Sequence, residues 1–302
     1  MTDVPEAAFP ANIDRTIDDL RTARLDWRGA HARHTELGVH FPSRSALKRV
    51  LVDLISALFP LRFGPPELTT ANENAYVGAT LETTLDQLAA QLILEFDLPD
   101  IKGKQPEAAA RAIAVIGLLA ARLADIRRLI DADVQAAYRI DPAANSVDEV
   151  LLSYPSLIAI IHHRIAHQLY RAGSRIVARS IAEIAHRETG IDIHPGAQIG
   201  PGLFIDHGTG VIIGETAVIG VDAHIHQGVT IGGVGRARGE RRHPSIGDRV
   251  VIFPGAVLLG PIDIGADVVI DANVVLRQAV PEGSFVRAPR PEIGAHSLGE
   301  RG

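Results

Sequence analysis

The chain contains no cysteine. That absence excludes disulfides, thiolate metal sites and a cysteine nucleophile together, and it fits a reducing compartment. Aromatic residues make up only 4% of the sequence, with a single tryptophan. The 46% hydrophobic content therefore rests on aliphatic side chains. No apolar run approaches the ~20 residues that span a bilayer; the longest, Ala112 to Ala121, stops at Arg122. The first residues carry Asp3, Pro5, Glu6 and Pro10, unlike the basic and apolar start of a signal peptide. A net charge of −6 with 22% charged residues provides no concentrated basic surface, which argues against a nucleic-acid partner. A soluble, cytoplasmic protein without membrane or nucleic-acid partners is expected.

Two periods divide the chain. Up to about residue 190 the pattern is helical. Leu47, Val50, Leu51, Leu54 and Leu58 recur at three- and four-residue spacing between Ser43 and Phe59, with Ser43 or Ser45 as the cap. Further helices are predicted over 83–96, 106–138, 156–171 and 174–189, the last stopping at Gly190. Segments 60–66 and 99–105 read as connections. The whole is a helical unit, 1–190, of six or seven helices, with 1–40 as an arm of uncertain order.

After Gly190 aliphatic residues recur every six positions. Ile193, Ile199, Ile205 and Val211 form one series, and Ile213, Ile219, Ile225 and Ile231 resume it after a two-residue slip. Ile246, Ile252, Leu258, Ile264, Ile270 and Leu276 then follow without a miss. This period fits neither a helix nor an alternating strand. It fits a parallel β-helix whose short strands each place one large residue inward and turn at a small one. The fold class is therefore α + β, with the β-helix over 191–282, a loop at 232–245 that must leave the coil, and a tail at 283–302.

Several polar groups stand out against this frame. Asp192 precedes His207 by fifteen residues, nearly one coil of three six-residue units, so the two could meet on adjacent layers. A carboxylate on one imidazole nitrogen leaves the other free to take a proton, as acyl transfer to a hydroxyl requires. Four arginines in the loop, Arg236, Arg238, Arg241 and Arg242, suit an anionic ligand such as a phosphate or carboxylate. The glycines there are no dinucleotide fingerprint, because no crossover helix follows. His163 and His167 are spaced as a helical metal pair, but no third ligand is evident and no metal is expected. His224 and His226 flank an inward Ile225 and face outward or towards a subunit seam.

Five segments, in order, carry a more specific likeness: Asp192-Ile193-His194-Pro195; Ile205-Asp206-His207-Gly208-Thr209-Gly210; Ile213-Gly214-Glu215-Thr216-Ala217-Val218; Gln227 to Gly233; and Arg242-His243-Pro244-Ser245-Ile246-Gly247. Together they resemble the serine O-acetyltransferases, over roughly Asp141 to Val280. The segments at Phe41 and Phe59 resemble the longer-chain members. The likeness implies a helical domain followed by a left-handed β-helix, and acetyl transfer from acetyl-CoA to L-serine, the first step of cysteine biosynthesis. It implies His207 as general base supported by Asp192, with Asp141 and Asp206 on the substrate ammonium. Arg242, with His243 beside it, would meet the carboxylate. Acetyl-CoA, a co-substrate and not a permanent cofactor, would run past Gly232, Gly233, Arg236, Ala256 and Ala272. A homotrimer or dimer of trimers is implied, with sites between neighbouring β-helices and L-cysteine as a feedback inhibitor in the serine pocket.

The chain departs from that pattern in the loop, where Val234 and Arg236 replace Thr and Lys. The loop is also one residue longer, so Arg241 competes with Arg242. Many relatives dock O-acetylserine sulfhydrylase through a terminal isoleucine. This chain ends in Gly302, and that docking is not expected. Two other readings stay open: a hexapeptide acetyltransferase acting on homoserine or another hydroxyl, and a non-catalytic β-helix scaffold.

Overall fold

The structure, a computed structural model, describes residues 13–30, 40–98, 107–235 and 239–288. The chain divides into two compact units, 1–40 and 41–302. In the first, α1 (Ile13–Ala30) buries no residue. In the second, helices α2 (Arg44–Leu58), α3 (Pro60–Phe63), α4 (Glu73–Phe96), α5 (Ala108–Ile140), α6 (Val147–Ser153), α7 (Pro155–Arg171) and α8 (Ile176–Thr189) precede fourteen short strands. Among the described residues no helix is long and apolar enough to cross a membrane.

The helix starts follow local chemistry. Ser43 caps α2 by accepting from the Ala46 amide, and Ser146 caps α6 by accepting from Glu149 N–H. Gly190 closes α8 with φ 72°, a conformation in which the missing Cβ avoids a clash. Glu95 has a longer reach. Its buried carboxylate accepts from the Ser174 hydroxyl at 2.5 Å and from the amides of Arg175, Ile176 and Val177 at 2.6–3.0 Å. It thereby fills the donors left open at the start of α8 from a helix some eighty residues earlier. Two sequence expectations need correction. Residues 60–63 are a helical turn with Pro60 at its first position, where proline's missing N–H costs nothing, and α4 starts at Glu73 and not at residue 83. Among the described residues there are eight helices, counting α1.

The strands wind into five coils with three faces. The first face carries β1 (Asp192–Ile193), β4 (Ile212–Ile213), β7 (Thr230–Gly232), β10 (Val257–Leu259) and β13 (Val275–Leu276). The second carries β2 (Gln198–Ile199), β5 (Val218–Ile219), β8 (Ser245–Ile246) and β11 (Asp263–Ile264), extended by a parallel bridge from Ile264 to Val280. The third carries β3 (Phe204–Asp206), β6 (His224–His226), β9 (Val251–Ile252), β12 (Val269–Ile270) and β14 (Phe285–Val286). All strand pairs are parallel. Their register stacks the six-residue anchors directly: Ile193 on Ile213, Ile231, Leu258 and Leu276 on one face, and Ile205 on Ile225, Ile252, Ile270 and Val286 on another. Those aliphatic ladders form one continuous buried core. Backbone groups pair with the coil above, as in Ile212 N–H to Val229 O and Thr230 N–H to Ala256 O, both 2.9 Å.

The two-residue slip has a structural cause. The turn from β3 to β4 runs 207–211, whereas the equivalent turn from β6 to β7 runs only 227–229. The first coil is therefore two residues longer than three six-residue units. Val211 lies in the small-residue slot before its strand, like Val229, and the true anchor is Ile213.

One buried ion pair ties helices to coils. Arg164 of α7 forms two-pronged bonds to Asp133 of α5, at 2.9–3.1 Å, with side chains only 4% and 0% exposed. The same guanidinium donates to the carbonyls of Ile199 and Gly200 at 2.6 and 2.7 Å, while Asp133 accepts from Leu203 N–H at 2.9 Å. Burial pushes the Asp133 carboxyl up to about 6 against the opposing pull of Arg164. Removing one partner strands the other's charge in the interior, so Asp133→Ala should lose roughly 3–5 kcal/mol of stability. In urea unfolding, the Asp133→Leu/Arg164→Met double variant should fall at least about 1 kcal/mol short of the summed single losses. Additive losses would show that the two side chains act independently.

Candidate functional site

Each coil turns three times; of the sequence-predicted residues, His207, Ala256 and Ala272 fall on one corner and Gly233, Arg242 and His243 on another. The corner from third face to first begins, in the first coil, with His207. Its φ of 55° is left-handed. That is uncommon for a side-chain-bearing residue, although histidine is among the types enriched there. The repeated left-handed position of this corner is the one filled by Gly210, Gly228, Gly255 and Asn273, which stack coil upon coil. His207 lies in the two-residue insertion before it and has no counterpart in the later coils. Gly208 follows at φ 84°, and a Cβ there would lie 2.4 Å from Ile191 Cδ1. The turn thus needs glycine, and it projects the His207 side chain 76% exposed.

Two helix ends come to the same place. Asp141 caps the C-terminus of α5; its carboxylate accepts from Ala143 N–H at 2.8 Å and from the Tyr154 hydroxyl at 2.5 Å. The hydrogen bond from Tyr154 holds Asp141 below the usual carboxylate range. The same bond, with burial, raises the Tyr154 phenol to about 12. Asp141, Tyr154, Pro155, Ser156, Asp206 and His207 line one cleft of about 260 Å³. Asp206 Oδ1 lies 3.8 Å from His207 Nε2.

Asp192 stands on β1, on the first face beneath Ile212. Among the described residues its carboxylate makes no hydrogen bond or ion pair; the carboxylate within ion-pair distance of His207 is that of Asp206.

Arg242 and His243 lie on a different corner, from first face to second, at the end of the loop between β7 and β8. Arg242 donates to Glu215 Oε2 at 2.5 Å, and Glu215 Oε1 accepts from the Tyr170 hydroxyl at 2.6 Å. That hydrogen bond from Tyr170, with the nearby cations, keeps Glu215 below its usual range. Arg241 turns away, bonded to Asp263 and to the Ile262 carbonyl. His243 is buried, and its Nδ1 accepts from Thr216 N–H at 3.2 Å. The neutral ring therefore carries its proton on Nε2. Burial, with Arg242 beside it, lowers the His243 pKa. A Cβ on Gly214 would lie 2.0 Å from the His243 ring, so the ring reaches this position only over a glycine.

The remaining residues divide likewise. Gly232 ends β7 and Gly233 packs against His243, both at the Arg242 corner. Ala256 and Ala272 sit two and three turns above His207 on its own corner. The Ala256 side chain is fully buried, and Ala272 N–H bonds to Asp271. Arg236 lies outside the described residues, as does the end of the tail. Sequence reading assigned no role to Tyr154, Glu215 or Thr216. Glu215 and Thr216 stood inside a quoted motif, whereas Tyr154 had no signal beyond preceding Pro155.

Metal ligation offers one cluster among the described residues: Asp206, His224 and His226 have ligand atoms all within 4.8 Å of one another. The helical pair behaves differently. His163 and His167 have ring centroids 5.6 Å apart, and His167 Nδ1–H donates to the Pro195 carbonyl at 2.9 Å.

A family model described as "Bacterial transferase hexapeptide (six repeats)" matches residues 243–278. The plasmid serine acetyltransferase of Synechococcus elongatus is 46% identical over 258 residues, covering 81% of each chain. The crystal structure of serine acetyltransferase isoform 3 from Entamoeba histolytica, in complex with cysteine, is similar at a TM-score of 0.70. It is 35% identical, covering 82% of this chain and 84% of that one. A soybean serine acetyltransferase complexed with serine has a TM-score of 0.54 at 31% identity, covering 81% and 97%. Matches of this extent span both the helices and the coils that meet around His207, and the chain belongs to the serine acetyltransferase family of acyltransferases.

Proposed function

We propose that the protein transfers the acetyl group of acetyl-CoA to the hydroxyl of L-serine, giving O-acetyl-L-serine for cysteine biosynthesis. The observation that carries the reading is the convergence of Asp141, Asp206 and His207 on one cleft. Two carboxylates suit the substrate ammonium, and the exposed imidazole suits its hydroxyl. His207 takes the hydroxyl proton as the serine oxygen attacks the thioester carbonyl. The tetrahedral intermediate then collapses, the C–S bond breaks, and the imidazolium returns the proton to the departing CoA thiolate. The family likeness gives Asp192 the role of orienting His207 and stabilising its charged form.

The zwitterion's carboxylate needs a cation, and Arg242 with its His243 Nε2–H neighbour is the apt donor pair. Both arginines hold a carboxylate, Glu215 for Arg242 and Asp263 for Arg241, but only Arg242 stands beside His243. Since Arg242 and His207 occupy different corners, the clamp is completed by Arg242 of a second copy, as in a ring of three β-helices. Acetyl-CoA then lies in the same seam, with the Ala256 and Ala272 turns of one copy on one side and the Gly232–Gly233 strand end of the next on the other. The soybean relative's complex with serine and the Entamoeba relative's with cysteine support serine as acceptor and L-cysteine as an inhibitor of the same pocket. No permanent cofactor enters this chemistry, and the reading fits a cytoplasmic enzyme.

Release of free CoA from acetyl-CoA with serine, homoserine or no acceptor tests this. Serine-dependent release is expected, falling roughly 10²–10⁴-fold in His207→Ala; release with homoserine alone would overturn the acceptor. Asp141→Asn removes one ammonium contact and should raise the serine KM about tenfold, with the acetyl-CoA KM unchanged. Equal effects on both substrates would place Asp141 elsewhere.

A further inference from the structure

His226 has its tautomer set by the backbone. Its Nδ1 lies 2.9 Å from the Ile252 carbonyl oxygen, and a carbonyl only accepts, so that nitrogen carries the proton. Nε2 is left with a lone pair, 3.7 Å from Asp206 Oδ2. His224 Nε2 lies 4.0 Å from the same oxygen and is buried without a hydrogen-bond partner among the described residues. Burial, with His226 beside it, lowers the pKa of the His224 imidazole. The rings are held in a row. Phe204 stacks on His224 at 4.8 Å, His224 lies 4.2 Å from His226, and His226 stacks on Phe253 at 4.9 Å.

The lone pair of His226 Nε2 and the Asp206 carboxylate converge with the unpartnered His224 Nε2 beside them, a grouping that attracts a cation. Two imidazole nitrogens and one carboxylate oxygen are a common three-ligand set for zinc, which leaves a fourth position to water. With metal–ligand bonds of ~2.0–2.2 Å, tetrahedral ligands stand about 3.4 Å apart. From 3.7 and 4.0 Å the Asp206 distances would need to close by about 0.3 and 0.6 Å, and the three ligand atoms already lie within 4.8 Å of one another. The Ile252 carbonyl on His226 Nδ1–H is the second contact that metal-bound histidines usually make. Asp141, whose charge also acts on His224, adds to the negative field, while His207 faces the other Asp206 oxygen.

We propose that Asp206, His224 and His226 bind a divalent transition-metal cation of the zinc type, and that its binding inhibits acetyl transfer by taking Asp206 from the amino-acid ammonium. The inhibitory half rests on the role given to Asp206 above; the binding half does not.

The test uses the untagged full-length chain. Equilibrium dialysis against zinc, and the visible spectrum of added cobalt(II), read metal binding without reference to activity. One metal per chain is expected, with affinity at least about tenfold weaker in His226→Gln and in His224→Gln. Metal-free, both variants should acetylate serine as the wild type does. Added zinc should raise the wild-type serine KM at unchanged kcat, and do so far less in the variants. Binding that is equal in wild type and both variants, or no binding at all, would overturn the site. Binding by these residues without a change in serine KM would overturn the inhibition. Binding by these residues in a protein that acetylates no serine would leave the site standing and remove the proposed function.

Discussion

The buried Arg164 guanidinium is the joint on which the rest of the arrangement hangs. It holds Asp133 on one side and the first coil's Ile199 and Gly200 carbonyls on the other. A charge with so little solvent is stable only where every N–H is answered, so its partners cannot drift independently. Asp141 lies eight residues beyond Asp133 on α5, about 12 Å along the helix, and Tyr154 lies ten residues before Arg164 at the head of α7. Pinning the two helices at Asp133 and Arg164 therefore fixes where their ends stand over β3. The cleft at His207 follows from that joint as much as from the coil that carries the histidine.

The β-helix contributes repetition, and the site arises where repetition is broken. Two extra residues lengthen the turn after β3, and these allow His207 to stand out from a corner that elsewhere is tight. The other break is the long loop before β8, which delivers Arg242 and His243 to a second corner. A triangular coil keeps its corners apart, so within one chain Asp206 and His207 lie at a different corner from Arg242 and His243. Threefold association would set unlike corners side by side, which gives a physical reason for such a fold to work as an oligomer.

Much of this was legible beforehand. The six-residue period identified the coils, because each inward anchor must repeat at the length of one flat strand and its turn; the observed register pairs those anchors one upon another. The helical half was legible in type but less so in boundaries: α4 began ten residues before its expected start, where no cap side chain marks it. Asp141, Asp206 and His207 were named in advance, and their shared cleft depends on long-range packing that no local pattern encodes. Tyr154 was missed for that reason, since its partner Asp141 is thirteen residues away, with α6 between them. The Asp206–His224–His226 cluster was missed differently. Adjacent histidines on a strand look outward, and only coil stacking shows that Asp206 of the previous coil pairs in register with His226.

The central claim is that a working site takes His207 from one copy and Arg242 from its neighbour. It is tested most directly by mixing two inactive proteins, His207→Ala and Arg242→Ala, under conditions that exchange subunits, and measuring serine acetylation. With the halves on different chains, random mixing in equal amounts restores an intact pair at one interface in four, so activity should return to roughly a quarter of wild type. If both residues serve the same chain's site, no mixture contains an intact pair and activity stays at the level of the separate variants.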